Sequence, residues 1–194
     1  KNEGAKITAQ LLETTDAMEV VNGILIPALD SAGKLFEQGK IFLPQLIQTA
    51  GVAQAAFEVI KTTLIERNAA PVSRGEIVLA TVKGDIHDIG KNIVRVLLEN
   101  YGYTVLDLGR DVPCQLVADT AREHGVKLVG LSALMTTTLG AMEETIQLVK
   151  QACPDCKVVV GGAVLTADYA EKIGADFYAK DAMETVAVAK EVVG

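Results

Sequence analysis

Asp85-Ile86-His87-Asp88-Ile89-Gly90 holds the most chemically specific spacing in this chain of 194 residues, which has only two histidines. A carboxylate two residues before an imidazole accepts a hydrogen bond from one ring nitrogen. The other nitrogen is then left as an oriented, basic metal ligand. A capped turn explains the same spacing without chemistry, because an aspartate readily bonds the backbone two residues on. A lone histidine does not hold a bare metal ion, since zinc sites take three or four protein ligands. It does suit one axial position of a metal whose other positions a macrocycle fills. The second histidine, in Arg122-Glu-His-Gly125, reads as a helix-end residue beside a terminating glycine.

Other spacings exclude other chemistry. Lys83–Asn92 carries neither the G-x-G-x-x-G of dinucleotide folds nor a Walker phosphate loop. Without those glycines, Asp107 reads as a strand-end cap and not as a ribose-binding acid. Cys153-Pro-Asp-Cys156 has the spacing of a redox pair or half a zinc site. No second C-x-x-C exists and the pair precedes a strand, so it reads as an incidental loop feature.

The elements that must position His87 follow from composition and rhythm. Hydrophobic residues make up 49% of the chain and charged residues 22%, which excludes disorder. The net charge of −7 argues against nucleic acid or an anionic membrane surface as a partner. No apolar run is long enough to span a membrane, no signal peptide opens the chain, and three cysteines are too few for a disulfide scaffold. A reduced, cytoplasmic setting is expected. Because the chain begins at Lys1, a preceding stretch is expected as well.

Residues 1–68 carry helical signals. Leu25, Leu29, Ala32, Leu35 and Phe36 recur as one buried helix face, Gly39 stops that pattern, and Pro44 suits the first turn of a helix running through Ala50 and Ala53 to Ile60. A further helix is expected over Ile7–Val21. Residues 69–75 read as a linker around Pro71 and Gly75. From residue 76 onward, runs apolar on both faces alternate with helical stretches. Strands are expected at Ile77–Val82, Thr104–Leu108, Leu128–Leu131, Val158–Val160 and Phe177–Ala179. Helices are expected at Gly90–Asn100, Gln115–Glu123, Leu139–Ala152, Asp168–Ile173 and Ala182–Val192. This predicts a five-stranded, parallel, doubly wound α/β domain over 76–194, Rossmann-like or flavodoxin-like, preceded by a small helical bundle. In such sheets ligands bind beyond the carboxyl ends of the strands, where the His87 loop falls.

Asp85-x-His87-x-x-Gly90 resembles the D-x-H-x-x-G motif of cobalamin-binding domains. Ser132-x-Leu134 after the third strand and Gly161-Gly162 after the fourth support it in the family's order. The resemblance implies that His87 is the axial ligand of cobalt in place of the cofactor's own base, with Asp85 setting its tautomer. It implies that the displaced nucleotide tail enters a slot beside the sheet. Residues 85–90, Ser132, Leu134, Met135, Thr136, Thr138, Gly161, Gly162 and Ala163 are then the binding residues. Gly161-Gly162 is also explained by an ordinary strand-to-helix turn. Thr138 matches the position of a serine that completes a His–Asp–Ser relay in methionine synthase.

Phe36-Glu-Gln-Gly-Lys-Ile-Phe-Leu-Pro-Gln45 is similar to the cap segment over the upper face of the cofactor in methyl-transferring corrinoid proteins. By that resemblance Phe36 and Leu43 pack over the methyl group; as plain helices, both are bundle core. Asp107–Pro113, Leu131–Thr138 and Ile173–Asp176 look most like the stand-alone corrinoid proteins of methanol, methylamine and methoxy-aromatic methyl transfer. The resemblance runs from about Val21 to Val193, and the part before it is shorter than the family's bundle.

What the resemblance implies is a carrier. Methylcobalamin or a related corrinoid bound to this chain takes a methyl group from a substrate-specific methyltransferase. An acceptor methyltransferase then passes it to a thiol or tetrahydropterin, and a reductive activator is a further expected partner. The chain is expected not to catalyse alone, since a (β/α)₈ methyltransferase barrel needs roughly 250 residues. The alternatives are a cobalamin-binding module of a methionine-synthase-like enzyme and a cobalamin-based light sensor or regulator.

Overall fold

The computed structural model describes residues 2–66 and 73–194, which cluster in two compact units. One comprises residues up to Ser73 together with Glu99–Gly102; the other comprises Arg74–Leu98 and Tyr103–Gly194.

In the second unit, β1 (Glu76–Thr81), β2 (Thr104–Asp107), β3 (Leu128–Ser132), β4 (Lys157–Gly161) and β5 (Phe177–Tyr178) form a five-stranded sheet in the order β2-β1-β3-β4-β5. Every neighbouring pair is parallel. The helices between are α5 (Ile89–Asn100), α6 (Cys114–His124), α7 (Leu139–Ala152) and α8 (Ala167–Lys172), with α9 (Ala182–Val192) last.

Alternate strand residues point to opposite faces. Val78, Ala80, Val129, Leu131, Val158 and Val160 are buried with Val117 and Ala121 of α6 and Met142, Ile146 and Val149 of α7. On the alternate positions Ile77, Leu79, Leu128 and Val159 are buried too, and α9 contacts β3 and β4. Both faces are therefore covered, which is why the strands read as continuous apolar runs. Gly125, at φ 59°, closes α6 in the left-handed conformation expected of a C-cap glycine.

The chain leaves β1 for β2 on one side and returns to β3 on the other. That makes the gap between the carboxyl ends of β1 and β3 the topological switch point. Thr81 pairs with Ser132 there, so the loops following those strands lie side by side.

The first unit contains α1 (Asn2–Leu11), α2 (Ala17–Val20), a widened π turn (Val21–Leu25), α3 (Ile26–Glu37) and α4 (Leu43–Glu66). The single helix expected over Ile7–Val21 is broken. α1 stops at Leu11, and Asp16 opens α2 by accepting the Glu19 N–H. Pro27 lies in the first turn of α3, and the π turn directly precedes it.

Leu29 and Ala32 are buried as expected, but Leu35 is 39% exposed and so lies off the buried face. Gly39 (φ 68°) ends this stretch: its N–H reaches the Phe36 carbonyl and that of Lys40 reaches Leu35, a Schellman closure. α4 continues past Ile60 to Glu66 and buries Leu46, Ala50, Ala53, Ala56 and Ile60. Ile60 joins Leu12, Ala17, Val20 and Val21 in one core. Most of the proposed linker, residues 69–72 with Pro71, lies outside the described residues.

Candidate functional site

Asp85 organises the carboxyl edge of the sheet. Its side chain is fully buried, and each carboxylate oxygen is engaged. Oδ1 accepts the backbone N–H of His87 at 2.9 Å and lies 2.8 Å from His87 Nδ1. Oδ2 accepts the N–H groups of Leu134 at 2.6 Å and Met135 at 3.2 Å, and lies 3.2 Å from the Thr138 hydroxyl. Residues from the loops after β1 and β3 thus converge on one carboxylate. Burial raises its pKa, but the bonds from His87, Leu134 and Met135 outweigh that and lower it from 3.8 to about 2. Asp85 is therefore an anion at neutral pH, and it holds the Nδ1–H tautomer of His87. Nε2 is left as the donor atom on a side chain 46% exposed.

Thr138 is buried, and its hydroxyl also donates to the Met135 carbonyl at 2.8 Å. One proton does not fully serve both acceptors, and the shorter bond is the one to the carbonyl. Thr138 therefore reaches Asp85 as expected, but as the weaker of its two partners.

The other expected site residues fall into three groups. Ile86, Ile89, Leu134 and Met135 expose 61%, 79%, 42% and 40% of their surface, an apolar rim on the loops that bear the histidine and its carboxylate's donors. Asp88 accepts the Asn92 N–H at the start of α5, Gly90 stands in the first turn of that helix, and Thr136 opens the 3₁₀ turn 136–138.

Ser132 ends β3 in register with Gly161, and the Ala133 N–H donates to the Gly161 carbonyl at 3.2 Å. A Cβ on Gly162 (φ 139°) would lie 1.8 Å from the Ala133 carbonyl oxygen, and one on Gly161 3.1 Å from that of Ala179. Close backbone approach within the protein itself thus demands glycine at 162 and leaves little room for a side chain at 161, before any ligand is considered. Ala163, exposed in the turn after β4, makes no bond to the Asp85 cluster among the described residues.

Phe36, in the last turn of α3, and Leu43, the first residue of α4, belong to the helical unit and are half-buried there. Phe42 beside Leu43 is not among the expected cap residues, yet at 71% it is the most exposed large apolar side chain among the described residues of that unit.

The two residues set aside in the sequence are structural. His124 Nδ1 pairs with Glu76 at 3.0 Å on the surface. Asp107 caps β2 by accepting the Gly109 N–H at 2.9 Å, and it pairs with the buried Lys91 and with Arg95. Burial raises the Asp107 pKa, and the Lys91 and Gly109 bonds bring it below the usual carboxylate range. Cys153 and Cys156 lie in a turn before β4, and burial pushes the Cys156 thiol up to about 12, far from a reactive thiolate.

Residues 75–187 match the family model described as a B12 binding domain, and residues 2–61 match a second model of the same description. The chain belongs to the B12-binding family. The second match begins at residue 2, so the likeness extends through α1 and does not start near Val21.

Among curated proteins the chain is 43% identical to dimethylamine corrinoid protein 1 of Methanosarcina acetivorans. That alignment covers 92% of this chain and 84% of that one. Among solved structures it resembles a cobalamin-binding protein from Desulfitobacterium hafniense (33% identity, TM-score 0.72, 100% of this chain and 98% of the other). It also resembles a chain of the methanol:cobalamin methyltransferase complex MtaBC from Methanosarcina barkeri (27% identity, TM-score 0.80, 98% and 80%).

A cobalamin-type corrinoid is accordingly the cofactor, and the residues present fit it. His87 offers a free ring nitrogen with its partner nitrogen fixed, and apolar side chains surround it on the same two loops. A Cβ on Gly90 would meet nothing within 4 Å, as is also true of Gly23 and Gly140, so no contact among the described residues requires glycine there.

Proposed function

We propose that this protein is a methyl carrier that holds a corrinoid in the base-off, histidine-on state, with His87 Nε2 as the axial ligand of cobalt. The cofactor, when bound, supplies a cobalt centre that accepts and releases a methyl group. The observation that carries the reading is the Asp85–His87 pair: a carboxylate with both oxygens engaged, holding one ring nitrogen and leaving the other free at the switch point.

Asp85 stays ionised and fixes the orientation and tautomer of the imidazole. Thr138 and the amides of Leu134 and Met135 hold Asp85 in turn. Ile86, Asp88, Ile89, Gly90, Met135 and Thr136 border the lower side of the macrocycle, and Ser132, Leu134, Gly161, Gly162 and Ala163 border the slot for its tail. Residues 1–68 are proposed as the cap domain, with Phe36 and Leu43 as its candidate cofactor residues, and 69–75 as the linker to the binding domain at 76–194.

The donor in this reading is a methylamine, dimethylamine in the first instance. Relatives named for dimethylamine reach 43% identity, whereas the chain from the methanol complex reaches 27%. The same relatives favour a free-standing carrier over a methionine-synthase module or a light sensor. Its partners are then a substrate-specific methyltransferase, an acceptor methyltransferase acting on a thiol or tetrahydropterin, and a reductive activator. The three free thiols support a reducing, cytoplasmic setting. No helix among the described residues is long and apolar enough to cross a membrane.

The test is reconstitution with hydroxocobalamin. The wild-type absorption spectrum is expected to show histidine ligation, and His87→Gly to lose it and to bind more weakly. An unchanged spectrum in His87→Gly defeats the axial assignment. Methyl transfer from dimethylamine, with a dimethylamine methyltransferase supplied, then tests the donor.

A further inference from the structure

The loop that carries Asp85 and His87 is held by a residue of the Asp107–Pro113 stretch to which nothing above gives a role. Asp111, in Asp107-Leu-Gly-Arg-Asp111 after β2, is the only non-glycine among the described residues at positive φ (53°). Aspartate tolerates this left-handed conformation better than most residues. The conformation has a consequence: Asp111 meets the β1–α5 loop with both its side chain and its backbone. Its Oδ1 accepts the Gly84 N–H at 2.7 Å, and its own N–H donates to the carbonyl of Asp85 at 2.9 Å.

Gly84 and Asp85 are thereby clasped from outside, one residue on each side of the peptide that sets the direction of the Asp85 side chain. The clasp is anchored at both ends. Thr81 donates to the Gly109 carbonyl at 2.9 Å and accepts from the Val112 N–H at 3.1 Å. The Gly109 N–H is fixed by Asp107, itself paired with buried Lys91. Bonds thus tie the segment after β2 to the backbone of Gly84 and Asp85, the residue whose carboxylate orients the histidine.

We infer that Asp111 is a positioning residue for the Asp85–His87 pair, setting through Gly84 and the Asp85 backbone the geometry in which Asp85 holds His87 Nδ1. This rests on His87 being the axial ligand, as proposed above, but it can be judged without cofactor. Asp111→Gly removes the carboxylate while relieving the left-handed backbone. Asp111→Asn keeps both an acceptor oxygen and a side chain that tolerates positive φ.

In a His124→Gln background only one imidazole remains. Its ¹⁵N spectrum at about pH 8.5, where a free imidazole is neutral, then reports the tautomer directly. Wild-type protein is expected to show the Nδ1–H form predominating. Asp111→Gly is expected to show a mixture of tautomers, with hydroxocobalamin bound about tenfold more weakly, and Asp111→Asn to restore both.

An unchanged tautomer in Asp111→Gly overturns the inference, even where affinity falls, because a purely structural loss would leave the imidazole as it was. Asp111→Asn behaving like Asp111→Gly overturns it as well. If wild-type protein binds hydroxocobalamin without dependence on His87, the axial reading fails; the cofactor-free tautomer measurement still decides the role of Asp111.

Discussion

Both units carry hydroxyl-to-carbonyl bonds within their helices, Thr120 and Thr145 among them in the α/β unit, but the bonds that build the site are of another kind. In the helical unit Thr8, Ser31, Thr49, Thr62 and Thr63 each turn a hydroxyl to the carbonyl four residues back, bonds that any isolated helix could make. Much of the buried surface of α4 is alanine. In the α/β unit the bonds that matter join residues far apart in the chain. Leu134, Met135 and Thr138 reach Asp85 across about fifty residues, and Asp111 reaches Gly84 across 27. The exposed apolar groups differ in the same way. In the α/β unit four of them flank His87 and its carboxylate's donors. In the helical unit they are spread over Ile7, Ile24, Leu35, Phe42, Ile47 and Val52. A site that must hold one imidazole in one orientation needs tertiary bonds, whereas local bonds leave helices cheaper to rearrange.

Substitutions of matched kind in the two units put that contrast to the test. The largest effect is expected from Gly162→Ala. The new Cβ would strike the Ala133 carbonyl at 1.8 Å from a backbone at φ 139°. It should cost about 3–5 kcal/mol of unfolding free energy, measured by urea titration. A loss below about 1 kcal/mol would show that the loop after β3 yields easily, and the contrast would fail.

A smaller effect is expected from Asp85→Asn, read as a change in pH dependence. The folded carboxyl titrates at about 2 against 3.8 in an unperturbed chain. Its contribution is therefore fully present above about pH 4 and is lost as pH falls through about 2. That slope is worth on the order of 2 kcal/mol in the wild type, and Asp85→Asn should flatten it. The smallest effect belongs to the helical unit. Gly23 is exposed in the π turn and a Cβ there would meet nothing within 4 Å. Gly23→Ala should stabilise by about 0.5–1 kcal/mol through the unfolded chain. A clear destabilisation would show that the π turn is as constrained as the sheet edge.

The same contrast explains how far each region was legible. Every expected strand and helix after residue 76 is present, with ends displaced by a residue or two, because runs such as Ile77–Val82 are apolar on both faces and stop at charged or glycine-containing loops. The expected Ile7–Val21 helix failed because apolar periodicity continues across Thr14-Thr15-Asp16 while the backbone does not. Asp16-x-x-Glu19 carried the missed signal, a helix-opening acid with its N–H partner three residues on. In the site, Asp85 and His87 were visible because two residues apart is a local relation. Asp111 was invisible because its partner is 27 residues earlier and its type, aspartate in a turn before proline, is ordinary. The glycines were visible as types, but their reasons were not: Gly162 answers the backbone of Ala133, whereas Gly90 answers no protein atom within 4 Å.

Local spacing and hydrophobic rhythm by themselves determined the parallel sheet and the placement of a D-x-H loop at its carboxyl edge, since each depends on neighbours within a few residues or on burial that every residue reports; the cofactor class came from the resemblance of that loop to a known family. Only the tertiary structure decided which oxygen of Asp85 faces the imidazole, that Thr138 divides its proton between two acceptors, and that the β2 loop clasps the β1 loop. Those relations are hydrogen bonds between segments that meet only when the sheet has brought β2, β1 and β3 side by side, and no periodicity encodes a bond between loops.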